Sequence, residues 1–170
     1  MSNIQKFKMY INGQWVESES GKTIETLNPE NNEVWATVPE ASTKDVDIAV
    51  KSAQKAFENS WSKLHPRDRA KYLSSLANQL RENAEHLGII ETKDTGKIFR
   101  ETKMQANYIA EYYDYFAGLA DKVEGTVVPI DKPDMQVTTT RMPIGVIAAI
   151  IPWNSQMLLT AVKLAPALAM

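Results

Sequence analysis

Pro143-Ile144-Gly145-Val146-Ile147-Ala148-Ala149-Ile150-Ile151-Pro152-Trp153-Asn154 is the stretch whose reading decides the fold. Residues 146–151 are apolar at every position, without the alternation of a strand that has one wet face. A short run of this kind, opened by Pro143 and followed by a helical pattern, reads as a central parallel strand starting a βα unit. The helical pattern is Leu158, Leu159, Ala161, Val162, Leu164, Ala165, Ala167 and Leu168, apolar on nearly every face. In open α/β sheets, ligands gather where strands end and the next helices begin. Here that place is Pro152-Trp153-Asn154-Ser155. The Asn154 amide can donate to a developing oxyanion without changing its own protonation. An asparagine at this position equally well serves the turn or caps the helix. Local sequence leaves both readings open.

Upstream of Pro143 the pattern is that of strands. Thr126-Val127-Val128-Pro129-Ile130 and residues 135–141 are rich in β-branched side chains and flank the turn Lys132-Pro133-Asp134. Their polar alternation suits an antiparallel or edge position. Before them, residues 99–121 predict a long helix carrying Met104, Tyr108, Tyr112, Tyr115, Phe116 and Leu119, a stripe read as core or subunit contact. A helical stretch over residues 87–91 is closed by Gly96. Pro66 suits the first turn of another helix, whose buried stripe is Ala70, Leu73, Leu76, Ala77 and Leu80. Ser42-x-x-Asp45 has the form of a capping box, with Val46, Ala49, Val50, Ala53, Ala56 and Phe57 following at helical spacing. Asn12-Gly13 predicts a hairpin between residues 9–11 and 14–16, and residues 23–27 and 34–38 read as extended.

Composition narrows the function. The formal net charge of −2 offers no electrostatic footprint for nucleic acid or an anionic membrane. The apolar runs are too short and interrupted to span a bilayer. Residues 1–10 show no secretory signal, which makes the cytoplasm the expected location. The 170 residues contain no cysteine, which excludes a thiol nucleophile or thiolate metal site within them. The last helical pattern runs to Met170 without a cap or stop signal, as expected of a chain cut inside its fold rather than of a docked terminal helix.

Ile11-Asn12-Gly13-x-Trp15-Val16, Ser20-Gly21-Lys22-Thr23, Asn28-Pro29, Val38-Pro39-Glu40-Ala41, Asp94-Thr95-Gly96-Lys97, Tyr113-x-x-Phe116-Ala117-Gly118, Pro143-Ile144-Gly145-Val146, Ile151-Pro152-Trp153-Asn154 and Lys163-Leu164-Ala165-Pro166-Ala167-Leu168-Ala169 occur in this order. The succession resembles the first third of the aldehyde dehydrogenase superfamily over residues 9–170. The resemblance implies an α/β fold, the amino-terminal part of the aldehyde dehydrogenase fold: a helical region, the start of a Rossmann-like parallel sheet and a β-hairpin oligomerisation extension. Residues 1–124 would begin the coenzyme-binding domain, 125–142 would be the oligomerisation strands, and 143–170 would open the Rossmann-like core. The implied reaction oxidises an aldehyde to a carboxylic acid with hydride transfer to NAD or NADP, in a homodimer or homotetramer. Its cysteine and glutamate would lie beyond Met170, so the fragment alone is expected to be inactive. The competing class is a non-catalytic short form that only binds sister subunits.

By the same resemblance, Asn154 stabilises the oxyanion, and Ile150, Ile151, Pro152 and Trp153, with Asn154, lie on the nicotinamide side of the cofactor. Lys163 corresponds to a lysine given a charge-relay role in some members, although a solvent-reaching stem is the physically simpler reading. Thr26, Leu27 and Asp94 match positions that bind a structural monovalent cation in some relatives, and their oxygens suit a hard ion. The family commonly places an aromatic residue and then proline after the asparagine, where this chain has Ser155 and Gln156. Loss of that ring implies a wider entrance for bulky aldehydes.

Overall fold

The structure, a computed structural model, describes residues 4–170. Residues 1–3, the start of the stretch read for a secretory signal, lie outside the described residues. Two small sheets come first. β2 (Met9–Ile11) and β3 (Gln14–Val16) pair antiparallel around Asn12 and Gly13. Both turn residues take positive φ, 53° and 76°, as a two-residue hairpin requires. β4 (Thr23–Asn28) and β5 (Glu33–Pro39) form the second pair, with a register shift between Thr26 and Leu27. β1 (Gln5–Lys6) adds to β5 in parallel, a pairing the sequence did not announce.

α1 (Thr43–Asn59) starts at the expected capping box. Asp45 accepts from the Ser42 backbone N–H (2.8 Å) while its own N–H donates to Ser42 Oγ (3.2 Å). The same carboxylate takes the Ser18 hydroxyl at 2.8 Å and the Glu19 N–H at 3.2 Å, tying the hairpin segment to the helix. Asp45 is the one buried residue of α1. The expected apolar stripe is not a core face: Val46 and Val50 are each about half exposed. Besides the Ser18–Glu19 segment, the helix packs mainly on β2 and on the 3-10 turn Trp61–Lys63 that follows it.

The core lies among three helices. α2 (Pro66–Glu82), with Pro66 in its first turn, buries Leu73 and Ala77 as expected. α4 (Phe99–Leu119) and α5 (Gln156–Ala169) meet it through Ile109, Ala110, Tyr113, Ala117, Ala161, Ala165 and Ala169. Of the α4 stripe read as core or subunit contact, Tyr112 and Phe116 pack on the core and the rest does not form its inner face. Met104, Tyr108 and Tyr115 are 55–64% exposed, and Thr102, Ala106, Ile109, Ala110, Tyr113 and Ala117 face inward. The large residues drew the reading, whereas the packing selects small ones that let helices approach. Tyr112 and Phe116 flank the core as half-buried edges.

α3 (Ala84–Thr95) crosses α4 at Gly88, where a Cβ would stand 2.9 Å from the Lys103 backbone nitrogen. Thr102 Oγ1 donates to the Gly88 carbonyl at 2.9 Å in the same crossing. Gly96 ends α3 in the left-handed conformation, φ 74°. β6 (Val127–Val128) and β7 (Val137–Thr138) pair antiparallel as expected, though over two residues each.

One expected element is absent among the described residues: 146–151 form no strand. A parallel strand takes its hydrogen bonds from neighbours, and no described strand pairs with this segment. Ile147 and Ile150 are accordingly 56% and 93% exposed. At the end of α5, Arg69 of α2 donates to the carbonyls of Ala169 (3.0 Å) and Met170 (3.4 Å).

The Ser42 N–H, foremost, holds the Asp45 carboxyl down to about 2 from its ordinary 3.8, against the opposing effect of its burial. A depressed carboxylate stabilises the fold above its unfolded pKa and loses that contribution on protonation. The urea midpoint is therefore expected to fall as pH drops from about 4 toward 2. Asp45→Asn should be less stable at neutral pH and flatter over that window.

Candidate active-site turn

Residues 152–155 form the turn that leads into α5, and Ser155, not Asn154, is the helix N-cap. Asn154 is exposed, and among the described residues its amide has no hydrogen-bond partner. Both neighbours that follow are tied down. Ser155 Oγ lies 3.0 Å from Lys97 Nζ and 3.3 Å from Gln105 Nε2. Gln156 Nε2 donates to Asp94 Oδ2 at 2.7 Å.

The anchors come from α3, α4 and the loop between them. Gly96 reverses the chain so that Lys97 folds back on α3, where its ammonium meets Glu91 Oε1 at 2.9 Å. Glu91 is 4% exposed, and a carboxylate so buried requires a partner. Asp94 accepts from Thr26 Oγ1 at 2.7 Å through its other oxygen, which links β4, α3 and α5 through one side chain. Sequence reading passed over Glu91, Gln105 and the role of Lys97. The available signal was an acid and a base six residues apart across a helix-ending glycine.

Beside these groups lies a cavity of about 240 Å³ between β4, β5, α3 and α5, with Phe7, Trp35 and Met157 among its apolar walls. Trp35 Nε1, Glu91 Oε2 and Gln156 Oε1, all on residues that line it, have no hydrogen-bond partner. The expected cation residues include two beside this cavity. Thr26 and Asp94 are in direct contact, while Leu27 follows the register shift of β4, where a bulge disrupts the ladder. Oxygen donors of this kind fit a hard monovalent ion, with Glu91 Oε2 and Gln156 Oε1 as further acceptors. Among the described residues there is no cluster of three or more His, Cys, Asp or Glu side chains fit to hold a metal.

Of the expected cofactor-side residues, Ile150 and Trp153 are 93% and 81% exposed, Pro152 is exposed and Ile151 is half-buried. An apolar surface beside an amide donor suits a nicotinamide ring in its chemistry. Lys163 is exposed on α5, opposite the alanine face, and about 12 Å of helix rise separates it from Ser155.

The chain belongs to the aldehyde dehydrogenase family, whose model matches residues 15–170. It is 50% identical over 167 residues to the (Z)-2-((N-methylformamido)methylene)-5-hydroxybutyrolactone dehydrogenase of Acinetobacter baylyi, covering 98% of this chain and 34% of that relative. Among solved structures it is similar to a betaine aldehyde dehydrogenase point mutant from Staphylococcus aureus in complex with NAD+ (39% identity, TM-score 0.88, 95% of this chain and 33% of that one). It is likewise similar to an aldehyde dehydrogenase mutant from Bacillus cereus (37% identity, TM-score 0.91, 97% and 34%). The mixed helix and strand follow the amino-terminal part of that fold, and the chain spans about a third of the length of these relatives. No helix among the described residues is long and apolar enough to cross a membrane.

Asp94→Ala removes the acceptor of two hydrogen bonds and strands the Thr26 hydroxyl and the Gln156 amide. The expected loss is about 1–3 kcal/mol by urea denaturation. Asp94→Asn, which keeps one acceptor oxygen, should lose less.

Proposed function

We propose that this chain is the amino-terminal part of an NAD- or NADP-dependent aldehyde dehydrogenase that oxidises an aldehyde to a carboxylic acid. Residues 1–124 begin its coenzyme-binding domain, 125–142 serve subunit contact and 143–170 open the core. The observation that carries the reading is Asn154: an amide without a partner, on an exposed turn whose next two residues are fixed from three sides. When bound, the cofactor accepts hydride. Ile150, Ile151, Pro152 and Trp153 supply the apolar surface against its nicotinamide, and NAD is favoured by the NAD+ complex of the Staphylococcus aureus relative.

Asn154 acts on the substrate. When a nucleophile adds to the aldehyde carbon, negative charge collects on the former carbonyl oxygen, and the amide N–H₂ donates to it. The donor is oriented before reaction, so its stabilisation exceeds what mobile water offers. The nucleophile itself is a cysteine thiolate outside these 170 residues, which contain none. Lys163 takes no direct part and extends its stem along α5 into solvent. Thr26, Leu27 and Asp94 hold a monovalent cation that stiffens the β4–α3 junction. Ser155, in place of an aromatic ring, leaves room for bulky aldehydes.

A second reading, a non-catalytic subunit-binding module, is favoured by the exposed apolar hairpin: Val127 is 67% and Met135 54% exposed. The 170-residue chain alone is expected to show no aldehyde-dependent NAD reduction under either reading, and turnover above a boiled control would overturn the assignment of the nucleophile elsewhere.

In the full-length enzyme, Asn154→Ala should lower kcat about 100- to 1,000-fold with a smaller change in KM, because the lost interaction strengthens in the transition state. Asn154→Asp should be at least as impaired, since a carboxylate repels the oxyanion. Full turnover by Asn154→Asp in steady-state assays would defeat the oxyanion role.

A further inference from the structure

Ser155 holds the N-cap position of α5 without capping it. A serine there ordinarily turns its hydroxyl to a backbone N–H in the first helical turn. This one, at φ −163° and ψ 62°, makes no such bond and lies instead against Lys97 Nζ and Gln105 Nε2. Neither donor is free to wander. Lys97 is held by the buried Glu91 of α3, and Gln105 projects from α4, which is packed on α3 and α5. Among the described residues, these contacts and the Gln156–Asp94 bond are the tertiary hydrogen bonds that reach residues 152–156. The backbone direction of Asn154 is therefore set one residue downstream, by a hydroxyl the helix does not use.

We propose that Lys97 and Gln105, acting through the Ser155 hydroxyl, are positioning residues that aim the Asn154 amide at the reacting oxygen. The proposal rests on the oxyanion role given to Asn154 above. An oxyanion donor is effective only when already oriented, and an error of about 1 Å in such a site costs on the order of 100-fold in rate. Asn154 has no restraining partner of its own, so its aim depends on the anchor beside it. An alanine at residue 155 keeps the chain path but gives Lys97 and Gln105 nothing to hold.

The test is made in the full-length enzyme with NAD+ and the best substrate from a panel of aliphatic and aromatic aldehydes. Ser155→Ala should lower kcat about ten- to 100-fold while aldehyde KM stays within about twofold, the split expected when only transition-state contacts are lost. Ser155→Thr, which keeps the hydroxyl, should restore most of the rate. The pair Lys97→Met with Glu91→Gln removes the ammonium without leaving a buried unpaired carboxylate, and should reproduce the Ser155→Ala loss at a melting temperature that shows the enzyme folded. In an Asn154→Ala background, Ser155→Ala should cost nothing further, because a positioning residue has nothing left to position. Wild-type kcat in Ser155→Ala, no rescue by threonine, or losses that multiply with Asn154→Ala would each overturn the proposal. If Asn154→Ala alone turns over at the wild-type rate, the oxyanion reading fails instead, and the two failures are told apart.

Discussion

Close approach between α4 and α5 is the constraint from which the rest of the site follows. Ala110 and Ala117 on one helix and Ala161, Ala165 and Ala169 on the other share one buried cluster, and residues this small let two backbones come near each other. The approach fixes where α5 begins, and the beginning of α5 is the turn that carries Asn154. Only at that spacing can Gln105 of α4 reach Ser155. A core of alanines contributes less transfer free energy than one of leucines, so its value here is geometric.

Onto that frame the protein adds a polar clamp in a place where polar groups are expensive. Glu91 and Asp94 stand one turn apart on α3, and each addresses a different part of the same turn, one through Lys97 and the other through Gln156. The arrangement separates duties. Residues 155 and 156 are occupied with structure, and Asn154 between them and the exposed Trp153 is left with its donor unspent.

What the sequence disclosed was what local chemistry dictates. Asn12-Gly13 takes two positive φ values that few other pairs accept, Ser42 and Asp45 satisfy each other across one turn, and Gly96 closes a helix in a left-handed conformation. Each signal is complete within a few residues. The features that escaped are those whose partner lies far along the chain. Arg69 satisfies the carbonyl of a residue 100 positions away, and Asp94 accepts from the amide of residue 156. The inward face of α4 was hidden for another reason: alanine is too weakly hydrophobic to outvote tyrosine and methionine in a periodicity reading. The run 146–151 has the composition of a strand, but a strand exists only where a neighbour offers its ladder. Asn154 was legible as a candidate; its release from capping, through Ser155, was not.

Gly88 gives the crossing of α3 and α4 an unusual kind of tolerance. The spacing there is set by an absence, since even one methyl group would meet the Lys103 backbone at 2.9 Å. Lys103 is two residues before Gln105 on the same rigid helix, so a displacement at the crossing travels along α4 to the hydroxyl beside Asn154. A side chain at Gly88 would thus be felt at the start of α5, on the far side of α4. The room left by one missing methyl group is thus part of the mechanical support of a turn that Gly88 never touches.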